Sequence, residues 1–226
     1  DVDGNFNQTA GVFNCNSQNQ NFAGDFSPSS GTTYTKGGTL TFDKTATSQN
    51  VADATVAPGQ DLGAVTIGPS TITTVTTSNK VQVTTLAIGA DDTLNITDDT
   101  LTIAGTGTPF TITAGGAFSV TNSTVIYTGT TTATNITTTQ YNNLTLTPTG
   151  ATTYSLTGAL TGGNAMLGNL TINANATLDN TVANKYSITL GGNWTNSGTF
   201  THNSGGTVTF NASSTGKTID AGGVGA

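Results

Sequence analysis

Gly191-Gly192-Asn193-Trp194-Thr195-Asn196-Ser197-Gly198-Thr199-Phe200-Thr201, continued by Gly205-Gly206-Thr207-Val208-Thr209-Phe210-Asn211, reads as three short strands separated by glycine turns. Within each strand apolar residues alternate with small polar ones, the period of a half-buried β-strand. The same pattern stands earlier as Gly24-Asp25-Phe26, Thr33-Tyr34-Thr35 and Gly37-Gly38-Thr39-Leu40-Thr41-Phe42-Asp43. In both copies the opening and closing glycines, Gly24 to Gly38 and Gly192 to Gly206, are equally spaced. Asp3-Gly4-Asn5-Phe6 with Gly11-Val12-Phe13-Asn14 gives the first half once more.

Outward from these copies the chain is a succession of short strands. Asp43 to Pro58 lacks a clear period and reads as a loop or a bulge out of the coil wall. From Leu62 to Tyr127, segments such as Ala64-Val65-Thr66-Ile67, Leu101-Thr102-Ile103 and Val125-Ile126-Tyr127 are punctuated by Gly, Asn, Asp and Pro. A second repeat pairs Asn143-Leu144-Thr145-Leu146 with Tyr154-Ser155-Leu156, and Asn169-Leu170-Thr171-Ile172 with Tyr186-Ser187-Ile188. Such strands suit a β-solenoid or an antiparallel β-sandwich filament subunit. Self-similarity at roughly twenty to thirty residues favours the solenoid, as does the near absence of Asn-Gly and Asp-Gly hairpin turns. The expectation is one all-β domain over 1–226, a right-handed parallel β-solenoid of roughly ten short coils, with a flexible Gly-rich tail at 221–226.

Composition narrows the function classes. Of 226 residues about a quarter are threonine, only 8% are charged, and neither arginine nor glutamate occurs. Helix formers are scarce beside β-branched residues. The net charge of -7 and five scattered lysines (Lys36, Lys44, Lys80, Lys185, Lys217) argue against nucleic acid, which needs clustered basic groups. No apolar run reaches the roughly twenty residues of a transmembrane helix. The lone Cys15 excludes an intramolecular disulfide and reads as a small apolar filler. An extracellular or cell-surface setting is the expectation from this composition.

The pattern Gly-Asn-Trp-Thr-Asn-Ser-Gly-Thr-Phe, Gly-Thr-Val-Thr-Phe-Asn and Asn-Leu-Thr-Ile, over residues 4–43 and about 141–219, resembles repeats in long bacterial surface and secreted proteins. Those are right-handed parallel β-helices similar to autotransporter passengers and haemagglutinin-type adhesin stalks. The resemblance implies a fibre, stalk or adhesin and transfers no catalytic residue.

Candidate chemistry is sparse. His202 is the single histidine, in a turn, Thr201-His202-Asn203-Ser204, whose counterpart contains Lys36; it reads as an exposed turn residue. Polysaccharide-cleaving β-helices resemble one another in using Arg or Lys beside clustered carboxylates, which this composition poorly supplies. The doublets Asp91-Asp92 and Asp98-Asp99 are the only dense charge. Thr93 to Thr97 between them reads as a strand, which would hold the doublets roughly 20 Å apart, so two separate turns are the preferred reading and a Ca²⁺ site at either doublet the alternative. Asp1-Val2-Asp3-Gly4-Asn5 lacks the twelfth-position Glu of a calcium loop, since Val12 stands there. Thr-x-Thr triplets such as Thr39 to Thr41, Thr145 to Thr147 and Thr207 to Thr209 recur at uneven spacing, unlike an ice-binding array.

A solenoid leaves an unpaired strand edge at each tip, which invites pairing. The chain is therefore expected to be a non-enzymatic structural protein with no cofactor, self-associating head to tail or stacking on neighbouring coils of a longer chain. Assembly contacts are expected at Asp1, Val2, Asp3, Phe6, Lys217, Ile219 and Val224, and a core at Phe6, Phe26, Phe42, Leu144, Leu170, Trp194 and Phe210. Glycan or ice binding by a Thr/Asn-rich face is the second class, and a polysaccharide-active enzyme the third.

Overall fold

The computed structural model describes residues 2–45, 48–68, 72–130, 133–181 and 183–222. It is all-β, with coils stacked into a parallel solenoid of about nine turns, and one 3₁₀ turn at Gly162–Asn164. The chain forms two compact units, one of Asp1–Ile103 with Phe110–Thr121, the other of Ala104–Pro109 with Asn122–Ala226.

In unit 1 the longest column of parallel strands is Phe6–Gln8, Phe26–Pro28, Ser48–Val51, Thr74–Thr77, Thr93–Asn95 and Ala117–Ser119. Beside it run Gln20–Phe22, Thr39–Phe42, Ala64–Ile67, Thr85–Ile88 and Phe110–Ile112. Two shorter pairings, Val12–Asn14 with Thr33–Thr35 and Lys80–Val83 with Thr100–Ile103, complete the wall. The physical reason for stacking is visible in register. Phe22, Phe42, Ile67, Ile88 and Ile112 lie one above another, with their outward neighbours Asn21, Thr41, Thr66, Ala87 and Thr111. Four of the five inward residues are fully buried, each stabilising the fold by about 1.5–3 kcal/mol relative to exposure. Phe6 lies parallel to Phe26 at 5.2 Å between ring centres and Phe13 to Tyr34 at 5.9 Å.

Unit 2 repeats the design with Thr124–Tyr127, Asn143–Leu146, Leu170–Ile172, Trp194–Asn196 and Ile219–Asp220 in one column. Thr134–Ile136, Thr152–Leu156, Ala176–Asp179 and Thr199–Thr201 form the second, and Ile188–Leu190 with Val208–Phe210 the third. Val125, Leu144, Leu170, Trp194 and Ile219 make the inward row. The buried phenols find partners: Tyr127 and Tyr141 hydroxyls lie 3.2 Å apart, Tyr141 donates to the Thr137 carbonyl, and Tyr154 donates to that of Gly129. Burial raises the pKa of both Tyr127 and Tyr141.

The coils number about nine, in line with the roughly ten expected, and stacked residues lie from 19 positions apart (Val75 to Leu94) to 28 (Leu160 to Ile188) as connecting loops change. Two expectations need correction. The passage 43–58 is not all loop: it holds the strand Ser48–Val51. Its inward residues are Val51, stacked on Phe26, and Gln49, which is wholly buried and whose side-chain amide donates to the carbonyls of Phe22 and Gly24. Phe210 does not join the core and stays 42% exposed, since Val208–Phe210 has a strand neighbour on one side only among the described residues.

Candidate functional site

Three candidate sites arise from the residues: the aspartate doublets, the outer columns, and the end coils.

The doublets are turn devices. Asp91 and Asp98 adopt φ of 64° and 63°, the left-handed region in which Asp is tolerated as a single residue. The residue after each turns inward and serves the preceding coil. Asp92 accepts the Thr73 N–H at 2.8 Å and packs against Gly68 and Gly89, where any Cβ would collide with its carboxylate. Burial pushes its pKa up, opposed by the Thr73 N–H, and Asp91 adds repulsion. Asp99 accepts the Asn79 N–H and the Thr77 hydroxyl. The strand between the doublets is Thr93–Asn95. Among the described residues no group of three or more His, Cys, Asp or Glu could hold a metal ion.

Other titratable groups are similarly engaged. Buried Asp53 folds loop 52–62 by accepting the Thr55 and Gln60 N–H groups, while Lys80, also buried, donates to the Asp53 carbonyl at 3.2 Å. His202 shares a hydrogen bond with the Gly206 carbonyl at 2.9 Å and lies beside the Phe200 ring. Cys15 is buried just after the strand Val12–Asn14; burial, with the Cys15 thiol beside it, raises the pKa of Tyr34.

On the outside, unit 2 carries a ladder of asparagine side chains between coils. Asn143 Oδ1 accepts the Asn169 N–H, Asn169 Oδ1 accepts that of Asn193, and Asn193 Oδ1 that of Thr218, all at 2.8–2.9 Å. Each rung precedes the inward residue of its strand, so the ladder fixes the register of the Leu144, Leu170, Trp194 and Ile219 row. Unit 1 has the same device: Asn5 Oδ1 accepts the Asp25 N–H and Asp25 Oδ1 that of Asn50. The signal was present as Asn-Leu-Thr, Asn-Leu-Thr and Asn-Trp-Thr in successive repeats. Beside the ladder, Thr145, Thr171 and Thr195 stand in direct register. Uneven spacing along the chain therefore does not mean uneven spacing in space.

The last coil of unit 2 bears a groove of about 580 Å³ lined by Trp194, Phe200, Val208, Phe210 and Ile219. Ile219 is 61% exposed although it continues the inward row. Thr199–Thr201, Val208–Phe210 and Ile219–Asp220 each have a strand neighbour on one side only among the described residues. Exposed apolar surface beside unmade backbone hydrogen bonds is the physical description of a strand-pairing site. Lys217, two residues before Ile219, is exposed, with no ion-pair partner among the described residues.

At the start of unit 1, Val2 bridges Phe22 in parallel, Asp3 is exposed, and Phe6 is half-buried, packed against Phe13, Phe22 and Phe26. Of the expected assembly residues, Val2, Asp3 and Phe6 thus fall together on the first coil, and Lys217 and Ile219 on the last. Asp1 and Val224 lie outside the described residues, as do residues 223–226 of the expected tail.

No family model, no curated protein and no solved structure matches the chain. The class defined here is therefore the fold alone, a parallel β-solenoid. No helix among the described residues is long and apolar enough to cross a membrane.

Proposed function

We propose that this chain is a non-enzymatic structural element of an extracellular or cell-surface fibre, built by axial stacking of solenoid coils and contributing to adhesion. The supporting observation is the apolar groove of the last coil, flanked by three one-sided strands. A groove of that kind in water favours coverage, because burying apolar area stabilises by about 25 cal/mol per Å² and pairing satisfies edge amides and carbonyls. The side-chain chemistry is in keeping with this reading. Asp92, Asp99, Asn169 and Asn193 all spend their oxygen atoms on backbone N–H groups of adjacent coils. The test is electron microscopy of the purified chain over a concentration series: filaments are expected, and a monodisperse monomer at every concentration overturns the proposal.

A second reading has its own observation. The aligned Asn143, Asn169, Asn193 and Thr145, Thr171, Thr195 columns make an uncharged hydroxyl- and amide-bearing face suited to a neutral glycan or to ice. Thermal hysteresis and a glycan array test it, and inactivity in both removes it.

A further inference from the structure

Resting on the fibre reading, we infer that the groove on the last coil takes the first coil of a second copy of this chain, with Phe6 placed on Ile219 and Val2 on Phe210.

Four observations fix that occupant and its register. The first is continuity with the stacking interface already present. Leu144, Leu170, Trp194 and Ile219 form one row, and Leu190 pairs with Phe210 in the neighbouring one. The inward residue of the second row precedes that of the first by four positions in two coils, Leu190 before Trp194 and Phe22 before Phe26, and by nine where the connecting loop is longer, Phe42 before Val51 and Phe210 before Ile219. Val2 precedes Phe6 by the same four, and Val2 already lies in the Phe22 row. The first coil therefore presents one inward residue, Val2 and Phe6, for each of the two rows that end at Phe210 and Ile219.

The second is the rung chemistry. Asn5 stands immediately before Phe6 as Asn193 stands before Trp194, and its Oδ1 accepts the next coil's N–H in the same way. Thr218 is the last rung of unit 2. Placing Asn5 beside Thr218 offers the Asn5 N–H an acceptor in the Thr218 hydroxyl, and neither group has a partner among the described residues.

The third is charge. With Asn5 opposite Thr218, Lys217 lies opposite Gly4 and diagonal to Asp3. Both charged residues are exposed, and neither is in an ion pair among the described residues. A copy turned end for end would not bring Asp3 to Lys217. The fourth is the match of apolar surface. Ile219 and Phe210 are the exposed members of otherwise buried rows, and the incoming Phe6 and Val2 are only half-buried on their own coil. The contact is heterologous, so each added copy recreates the same groove and growth continues.

The test is oxidative cross-linking of the full chain carrying Asn5→Cys and Thr218→Cys on a Cys15→Ala background. Directly paired strand positions fall within the Cα separation a disulfide spans, about 4.4–6.8 Å. A covalent ladder of multimers joined between positions 5 and 218 is expected, absent when either substitution is omitted. In parallel, Asp3→Lys should raise the critical concentration for assembly about fivefold, and adding Lys217→Asp should restore it. Filaments that cross-link only between like positions, or that ignore both charge changes, overturn this docking mode while leaving the fibre reading standing. Absence of filaments from the unmodified chain removes both.

Discussion

Replacing Gln49 with leucine tests whether a polar residue at an inward position holds unit 1 together. Its side-chain amide donates to two carbonyls of the coil before, Phe22 at 2.8 Å and Gly24 at 2.5 Å, and its oxygen lies 3.4 Å from the Lys44 N–H. The two carbonyls are unequal. Phe22 O also accepts the Asp43 N–H at 3.3 Å, so it keeps a partner in the variant. The Gly24 carbonyl has no second donor among the described residues, and the Gly24 backbone passes too close to Gly4 to admit even a Cβ. Stranding one buried carbonyl costs about 1–3 kcal/mol, and a weakened second bond adds about 0.5–1 kcal/mol. Leucine returns roughly 1 kcal/mol through added apolar burial. The expected net loss is about 2 kcal/mol. Urea unfolding followed by circular dichroism reads the total, and hydrogen exchange of peptides spanning 20–51 locates it, since a solenoid can lose coils separately. A variant as stable as the parent, with unchanged exchange around Phe22 and Phe26, would refute the bracket.

Further expectations follow from other coils. Asn169→Ala removes one rung and should cost about 0.5–1.5 kcal/mol in urea unfolding, with Asn169→Asp, which keeps the acceptor, recovering most of it; equal losses would show that the ladder does not hold the register. Asp92→Asn should flatten the acid side of the stability profile. Burial raises the Asp92 pKa above its unfolded value, so its favourable contribution is complete below the unfolded value and is lost as pH rises through the folded one. The variant should therefore gain on the parent at neutral pH relative to pH 3, and a gain confined to acid contradicts the assignment. The apolar cavity of about 20 Å³ among Val51, Val65, Val75 and Leu86 is close to one methylene in size, so Val75→Ile should stabilise unit 1 by about 0.5–1 kcal/mol; a loss above 1 kcal/mol would mean overpacking.

How much of this was legible depends on which residues carried the signal. Strands with an apolar residue facing in, such as Thr39–Phe42 and Ala64–Ile67, announce themselves by alternation, and the Gly24 to Gly38 and Gly192 to Gly206 spacings mark equivalent coils. Ser48–Val51 was hidden because only one of its inward residues, Val51, is apolar: Gln49 faces the interior too and is accommodated by the carbonyls of Phe22 and Gly24, about 25 residues away. Phe210 was misread for the opposite reason. Its alternation is that of a core residue, but what buries an inward side chain is the coil on either side, and among the described residues Val208–Phe210 has a strand neighbour on one side only.

The outer columns show why a solenoid conceals its surface. Coil length wanders between 19 and 28 residues, so Thr145, Thr171 and Thr195 never define one sequence period. In space they are held in register because the ladder bonds of Asn143, Asn169 and Asn193 restart each coil at a fixed point. Length differences are discharged into loops such as 211–217, which lie between Phe210 and Ile219 without shifting either row. A one-residue slip would turn Trp194 outward and Thr195 inward, and the rung immediately before Trp194 opposes that slip. The side chains that make the outer face regular are thus the ones that keep the inner face apolar. Any partner recognising that regularity would be reading the same bonds that stabilise the fold.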